Sequence, residues 1–406
     1  MTDSMRCRGM RDLMPEDMAL FRRIEVAFRD VCLGWGYEEM RTPTIEHLHL
    51  FTSAGLLSPQ MLGKVYSFLD WDGWSGERVV LRPDSTIPLA RTYAEVARPG
   101  DVWKRFYVQN VLRFAEADNP REGWQCGIEL IGDTQPAGDV ELIAIASEVL
   151  RHLGLQTLLK LSDPGILRAI VSRAGYDAPQ QLVLYDRLLN GELDVLDEVA
   201  ERIEGVGAIL KSLLSLEGEG APYIRNLQAA LAGAIPSLQQ PLTEILTVSE
   251  ILTALGNDHL VSPLLVRNFE YYTGPVFHLY VGDTKVASGG RYDGLIGLVG
   301  GADVAASGFG IEMDALMPLL PRGTSAGPAV NLRAATPENS ALAAAFKLAT
   351  AFRDAGIPFR ITDVAAGPGQ AEAVVEADDY TLRLNGAEAR RFANPADLVR
   401  ALTGPG

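Results

Sequence analysis

The 406-residue sequence predicts an α+β protein in which helices flank a mainly antiparallel sheet. Short β-rich stretches dominate the first 320 residues, and helical patterns interrupt them irregularly, without the repeating βαβ spacing of a parallel sheet. Leucine- and alanine-rich periodicity from about 166 to 255 predicts a helical insertion. A segment with proline and glycine at 320–327 predicts a linker between a domain over 1–325 and a small α/β domain over 326–406.

The elements of the first domain follow from periodicity. A helix is predicted from Glu16 to about Leu33, because apolar residues recur there at spacings of three and four and glycines follow at 34 and 36. Strands are predicted where β-rich stretches follow, at 37–43, 79–81, 106–114, 124–131, 276–281 and 307–311.

The C-terminal domain alternates helix and strand. Thr336 as N-cap and Pro337 at the first helical position predict a helix that ends at Gly356. Alanine and glutamate near 370–377 predict a second helix, and a third is expected from Pro395. Strands are expected at 358–362 and 380–384.

The charge makes nucleic acid a disfavoured partner. Lys and Arg number 36 against 52 Asp and Glu, which gives a net charge of −16. Binding to nucleic acid needs cations gathered against phosphates, and this chain repels them at long range. The stretch 161–260, with fourteen acidic and six basic residues, carries half of the net charge.

The sequence predicts no cofactor, metal or membrane site. The three cysteines form no CxxC pair, and the five histidines show no metal-ligand spacing. No apolar run reaches the ~18 residues that a membrane span needs, and the N-terminus lacks the apolar stretch of a secretion signal. We therefore expect a cytoplasmic protein with reduced thiols.

Two predicted strands carry polar side chains on one face. Strict alternation places Gln125 and Glu129 on the same side of one strand, and Tyr107 and Arg113 together on the preceding strand. If the two strands pair as a hairpin, a cation, an amide and a carboxylate share a face, which is the complement of a zwitterionic amino acid. The alternative is a solvated face, which antiparallel sheets commonly have.

Three further segments are more specific than composition explains: LRPDST at 81–86, LVRNFEYY at 265–272 and SGGRYDGL at 288–295. Each alone has a structural interpretation, as a turn before a helix, a tyrosine pair in the core and a glycine-rich hairpin exit. The last is neither a P-loop nor a dinucleotide fingerprint, since it lacks GK[ST] and the G-x-G-x-x-G spacing. Their combination and order carry the functional signal.

Taken in order, Gly9-x-x-Asp12-x-x-Pro15, the first helix, the strand at 37–43, LRPDST, the hairpin at 113–132, VRNFEYYTGPVF, SGGRYDGL and GFGIEMDAL at 308–316 resemble the catalytic domain of histidyl-tRNA synthetase. The resemblance spans roughly residues 9 to 318. It implies a class II aminoacyl-tRNA synthetase-like fold that dimerises around its first motif, where Pro43 matches the family proline.

The resemblance also implies a histidine site, residue by residue. Asp84, Thr86 and Gln125 would hold the ammonium of histidine, and Arg113 and Arg267 would hold its carboxylate. Synthetases usually have glutamate at the position of Asp84, whose side chain is shorter by one methylene, so three alternatives stay open: a direct, a water-bridged or a weakened contact with the ammonium.

The imidazole would lie between Glu129 and Tyr272, with Tyr271 as a wall of the pocket. A neutral imidazole has one donor and one acceptor, and a carboxylate opposite a phenol can satisfy both.

The third class II motif departs from the synthetase pattern G-F-A-x-G-x-E-R-L. Ala315 stands where the arginine that binds the triphosphate of ATP is expected, and Glu312 and Asp314 replace glycine and glutamate. Losing a charge-assisted contact between guanidinium and phosphate typically removes several kcal/mol of transition-state stabilisation. Histidine activation is therefore expected to be crippled.

A histidine site without ATP chemistry is similar to the regulatory subunits of ATP phosphoribosyltransferase, which are synthetase paralogues in histidine biosynthesis, and the LRPD form of the pocket motif also resembles them. The resemblance implies no reaction of its own, a homodimer within a hetero-octamer, activation of the short catalytic subunit, and L-histidine as inhibitory effector. Such a relay needs two states of different histidine affinity. The alternative is a divergent histidyl-tRNA synthetase or another histidine-activating ligase, from which Ala315 distinguishes a regulator.

Overall fold

The computed structural model describes residues 5–53, 63–71, 76–115, 119–133, 136–189, 192, 194–203, 210, 216–265, 272–322, 330–366, 370–377, 379–384 and 388–403. The chain divides into two compact units, Met1–Pro321 and Arg322–Gly406. Among the described residues, no helix is both long and apolar enough to cross a membrane.

The helices of the first unit are α1 Pro15–Gly34, α2 Leu48–Ser53, α3 Thr86–Val96, α4 Ala137–His152, α5 Pro164–Arg173, α6 Ala178–Leu189, α7 Val195–Glu201, α8 Gly220–Leu231, α9 Gln239–Ala254, α10 Leu295–Leu298 and α11 Met313–Leu316. Helices α5 to α9 fall in the region of the predicted helical insertion. Helix α1 matches its prediction to within a residue at each end, because its apolar face is buried and Pro15 occupies its first turn.

The strands of the first unit are β1 Glu38–Glu39, β2 Ile45–His47, β3 Ser67–Trp71, β4 Gly76–Leu81, β5 Trp103–Leu112, β6 Glu122–Ile131, β7 Leu158–Ser162, β8 Gly218–Glu219, β9 His259–Val261, β10 Val276–Val281, β11 Thr284–Arg291 and β12 Ala306–Glu312. Nine of them form one sheet in the order β1-β5-β6-β12-β11-β10-β7-β9-β8, and β2-β4-β3 form a second sheet.

The large sheet is antiparallel except at two pairs of neighbouring strands. Among the described strands of this sheet, only β1 with β5 and β7 with β9 pair in parallel. The predicted hairpin is confirmed, because β5 and β6 pair antiparallel with Gln109 opposite Gln125. Both hairpin strands start earlier than predicted, and β5 ends at Leu112, so Arg113 follows the strand.

One face of the large sheet packs against helices α1 and α4. Cys126, Ile128 and Phe309 point into this core together with Ile24 and Phe28 of α1. The alternation that buries these residues places the intervening residues of β6 and β12 on the opposite face. That opposite face carries the polar residues described below.

The second unit is built around a five-stranded sheet. Its strands are β13 Val330–Ala334, β14 Phe359–Ile361, β15 Glu372–Glu376, β16 Asp379–Arg383 and β17 Arg390–Phe392, in the order β14-β13-β15-β16-β17. Helices α12 Asn339–Asp354 and α13 Pro395–Thr403 complete it, and α12 contacts β13 and β15.

Two predictions for this unit are wrong. The helix expected near 370–377 is the strand β15, because Ala373 and Val375 are buried between β13 and β16 and the sheet overrides the helical composition. Helix α12 begins at Asn339 with Glu338 as N-cap, two residues later than Pro337 indicated.

Candidate functional site

The polar face of the large sheet forms a trough over strands β6 and β12. The register pairs three residues of each strand: Gln125 with Glu312, Gly127 with Gly310 and Glu129 with Gly308. We call the surface over these six residues the trough. Four residues of a strand span ~13 Å, so Gln125 and Glu129 mark its two ends.

The glycines of the trough have different surroundings. A Cβ on Gly308 would collide with the Glu129 carboxylate, and a Cβ on Gly127 would collide with the Tyr107 ring. A Cβ on Gly310 would meet no atom of the described residues within 4 Å. Within the described part of the chain, the Gly310 side of the middle is therefore open, while Tyr107 covers the Gly127 side and the Glu129 end is tightly packed.

Glu129 is a fully buried carboxyl group surrounded by hydroxyls. Tyr107 donates to its Oε1 at 3.2 Å, and Tyr292 and Thr86 also donate to it. Burial, reinforced by the nearby charge of Asp84, raises the pKa of Glu129 to about 8. A large share of Glu129 is thus protonated near neutral pH, and its carboxyl can either donate or accept a hydrogen bond.

The start of helix α3 lies beside this carboxyl. Asp84 accepts a hydrogen bond from the backbone N–H of Ile87 at 3.0 Å, and Thr86 is the first residue of the helix. Tyr272 packs against the apolar cluster that contains Tyr107 and Tyr292, and burial, with the charges of Glu129 and Asp84, raises the pKa of its phenol. The LRPDST segment therefore places Asp84 and Thr86 at the Glu129 end of the trough.

Arg113 lies just past the end of β5. Its Nε donates to the carbonyl oxygen of Pro83 at 2.7 Å, which holds the side chain against the LRPDST segment. Its two Nη groups have no hydrogen-bond partner within the described part of the chain. A guanidinium held in this way can offer its outer edge to a carboxylate.

Arg82 of the same segment has a structural role. It is almost completely buried, and it donates to the backbone carbonyls of Thr42, Pro43 and Asn110 at 2.7 to 2.9 Å. Burial lowers its pKa. These bonds fix the turn before α3, and with it the positions of Asp84 and Thr86.

The other end of the trough is acidic. Gln125 Nε2 donates to Glu312 Oε1 at 2.7 Å across the β6–β12 pair. Asp314 accepts from the backbone N–H of Trp124 at 2.8 Å and forms an ion pair with Arg11. Ala315 follows directly and carries no polar group.

Six of the eight predicted ligands fall in the described residues. Asp84, Thr86, Glu129 and Tyr272 lie together, Gln125 lies at the opposite end of the trough and Arg113 beside Pro83. Arg267 and Tyr271 lie outside the described residues. The role of all eight in histidine binding stays a prediction.

Sequence reasoning assigned no role to three residues that the structure places at the site. Tyr107 and Tyr292 hold Glu129, and Glu312 holds Gln125. A signal existed for each: Tyr107 lies on the predicted polar face, Tyr292 belongs to SGGRYDGL, and Glu312 replaces the glycine of the third motif. Alternation within single strands could not show which of these side chains meet.

Comparisons with known proteins agree with this arrangement. The family described as histidyl-tRNA synthetase matches residues 9–316. The ATP phosphoribosyltransferase regulatory subunit of Dehalococcoides mccartyi strain BAV1 is 44% identical over 317 residues, which cover 78% of this chain and 77% of that protein. The chain belongs to the ATP phosphoribosyltransferase regulatory subunit family. The regulatory subunit of strain 195 is 39% identical over 406 residues, covering 98% of both chains.

This regulatory subunit family lies within the histidyl-tRNA synthetase-like proteins. The histidine–tRNA ligase of Methanosarcina acetivorans is 34% identical, covering 78% of this chain and 75% of the ligase. A solved structure from Bacillus halodurans, an ATP phosphoribosyltransferase regulatory subunit/histidyl-tRNA synthetase, superposes with a TM-score of 0.75 at 27% identity, covering 90% of this chain and 94% of that one. The predicted class II synthetase-like α+β fold is confirmed.

Proposed function

We propose that this protein is a non-catalytic regulatory subunit of ATP phosphoribosyltransferase, in the first step of histidine biosynthesis. It binds the short catalytic subunit, activates it, and relays inhibition by L-histidine, which occupies the trough. It works as a homodimer within a hetero-octamer. Membership of the regulatory subunit family supports the partner, and the geometry of the trough supports the effector.

The observation that carries the non-catalytic assignment is the chemistry at the acidic end of the trough. A triphosphate needs cationic side chains to bind it. Ala315 has no charge, and Arg11 already forms an ion pair with Asp314. Glu312 adds a further carboxylate to the same strand end. Anionic phosphates brought to this surface would meet like charges, which raises the free energy of the bound nucleotide.

The rest of the trough suits a small zwitterion with a ring. The open space over Gly310 lies between an end that can exchange hydrogen bonds with an imidazole, at Glu129, and an end with amide and carboxylate acceptors for an ammonium. Arg113 supplies a guanidinium for the carboxylate.

The test is reconstitution with the short catalytic subunit. We expect this protein to raise the rate of phosphoribosyl transfer and added L-histidine to lower it again. In a pyrophosphate-exchange assay with histidine and ATP, we expect no activity above background. Absence of activation, or robust exchange, would contradict the proposal, and robust exchange would favour the ligase alternative.

The Gly310→Val variant tests whether the effector binds in the trough. The added side chain fills open space at the middle of a strand, so we expect folding and activation of the catalytic subunit to be retained. Histidine binding in calorimetry and inhibition by histidine should both fall at least tenfold. Unchanged inhibition in this variant would place the effector site elsewhere.

A further inference from the structure

We infer that Glu312 is an additional ligand for the ammonium group of the bound amino acid and sets the selectivity of the site for ligands that carry an amine. The inference rests on the proposed histidine site. It adds a residue from the third motif, at a position where the synthetase pattern has glycine.

The register of the sheet places Glu312 where an ammonium ligand is needed. It lies directly opposite Gln125 on the neighbouring strand, and the two side chains meet at 2.7 Å on the trough face. Gln125 uses its NH₂ group in this bond, which leaves its carbonyl oxygen to face the trough as an acceptor. Glu312 therefore fixes the orientation of the Gln125 amide that an ammonium requires.

Glu312 also has capacity to bind the ammonium itself. A carboxylate offers about four lone-pair sites, and the bond from Gln125 uses one oxygen of Glu312. The residue is only partly buried, and among the described residues the bond from Gln125 engages Oε1 and leaves Oε2 for a ligand. Gly310 lies two residues earlier on the same strand and the same face, and a Cβ there would meet no described atom within 4 Å.

Asp84, the carboxylate that the resemblance assigns to the ammonium, has fewer free acceptor sites than Glu312. Asp84 is short, and its Oδ1 is already engaged by the N–H of Ile87 at the start of α3. An ammonium has three donors to satisfy. Asp84 also lies at the Glu129 end of the trough, so at the Gln125 end the Gln125 carbonyl alone would leave two donors unmatched, and Glu312 supplies a second acceptor there.

A comparison of ligands tests this role. Binding of L-histidine, histamine and imidazolepropionate to the full-length protein would be measured by calorimetry for wild type and Glu312→Gln. The variant keeps the shape and the acceptor for Gln125 but removes the charge. We expect about tenfold weaker binding of histidine and histamine, which carry the ammonium, and unchanged or tighter binding of imidazolepropionate, which lacks it.

Asp314→Asn is the matched control, since it removes one negative charge from the same segment at a group that is paired with Arg11. We expect it to leave histidine affinity within twofold. Equal loss for all three ligands in Glu312→Gln, or no loss for histidine, would overturn the inference while leaving the histidine site intact. If wild type binds neither histidine nor histamine, the proposed function is wrong, and this inference, which rests on it, is wrong as well.

Discussion

Two buried carboxylates on opposite faces of the same sheet are neutralised in different ways. Glu129 faces the trough and is held by the hydroxyls of Tyr107, Tyr292 and Thr86. Asp139, at the start of α4, faces the helical core and is held by Arg291 at 2.6 Å and by the hydroxyl of Ser307 at 3.0 Å. Arg291 and Tyr292 are neighbours in the SGGRYDGL segment, so one segment serves both carboxylates.

The two carboxyl groups differ in whether a fixed cation is paired with them. Arg291 forms a second ion pair with Glu244 of α9 and is itself buried, so the two carboxylates of this cluster share one fixed cation. Among the described residues, Glu129 has hydroxyl partners and no ion pair, and burial raises its pKa to about 8. A carboxyl without a fixed counter-charge can still change its protonation or partner when a ligand arrives.

The largest expected effect is on the cation-paired cluster. Arg291→Met would leave Asp139 buried beside no cation and should lower the free energy of unfolding by ~3 to 5 kcal/mol. Urea unfolding followed by tryptophan fluorescence measures this for the first unit, since all five tryptophans lie before residue 125. Arg225→Met, which breaks an exposed pair with Glu250, is the control and should cost at most ~1 kcal/mol. Equal effects in the two variants would contradict the comparison.

The second expected effect is a pH dependence of the stability that arises from Glu129. The folded protein holds the Glu129 proton up to about pH 8, whereas the unfolded chain releases it near its ordinary pKa of 4.5, so wild-type stability should fall as the pH rises between these values. Glu129→Gln removes this titration. Between pH 5 and pH 8.5, the stability of the variant relative to wild type should rise by roughly 2 to 4 kcal/mol.

The difference between the two proteins isolates Glu129. Asp163, whose pKa burial raises to about 7, titrates in the same direction but is present in both and cancels. Parallel stability curves for wild type and Glu129→Gln over this pH range would show that Glu129 is ionised throughout.

The smallest expected effect is the loss of one hydroxyl. Tyr292→Phe removes a donor to Glu129 and should cost ~1 to 2 kcal/mol of stability. Because the bond from Tyr292 lowers the pKa of Glu129, the variant should also move the midpoint of the pH-dependent loss to higher pH. Tyr280→Phe, on β10, is the control and should leave that midpoint in place. A shift in both variants would show that the midpoint does not report on Glu129.

Local sequence patterns correctly predicted the elements in which the buried apolar residues recur at the period of a helix or a strand. Helix α1 and the β5–β6 hairpin are of this kind, because their apolar faces lie against one contiguous core. Strand β15 was mispredicted as a helix, since its alanines and glutamates favour a helix in isolation. Its position in the centre of a sheet, between β13 and β16, follows from tertiary pairing that no local pattern contains.

The identity and order of the motif residues alone determined the family, the fold class and the presence of Ala315 where the synthetase pattern has arginine, because each is a property of residue identity along the chain. Only the tertiary structure decided which side chains meet. It joined Glu129 to tyrosines from two other segments, and Gln125 to Glu312 across two strands 187 positions apart in sequence. Sheet register fixes such contacts, and register is set by the packing of both faces together.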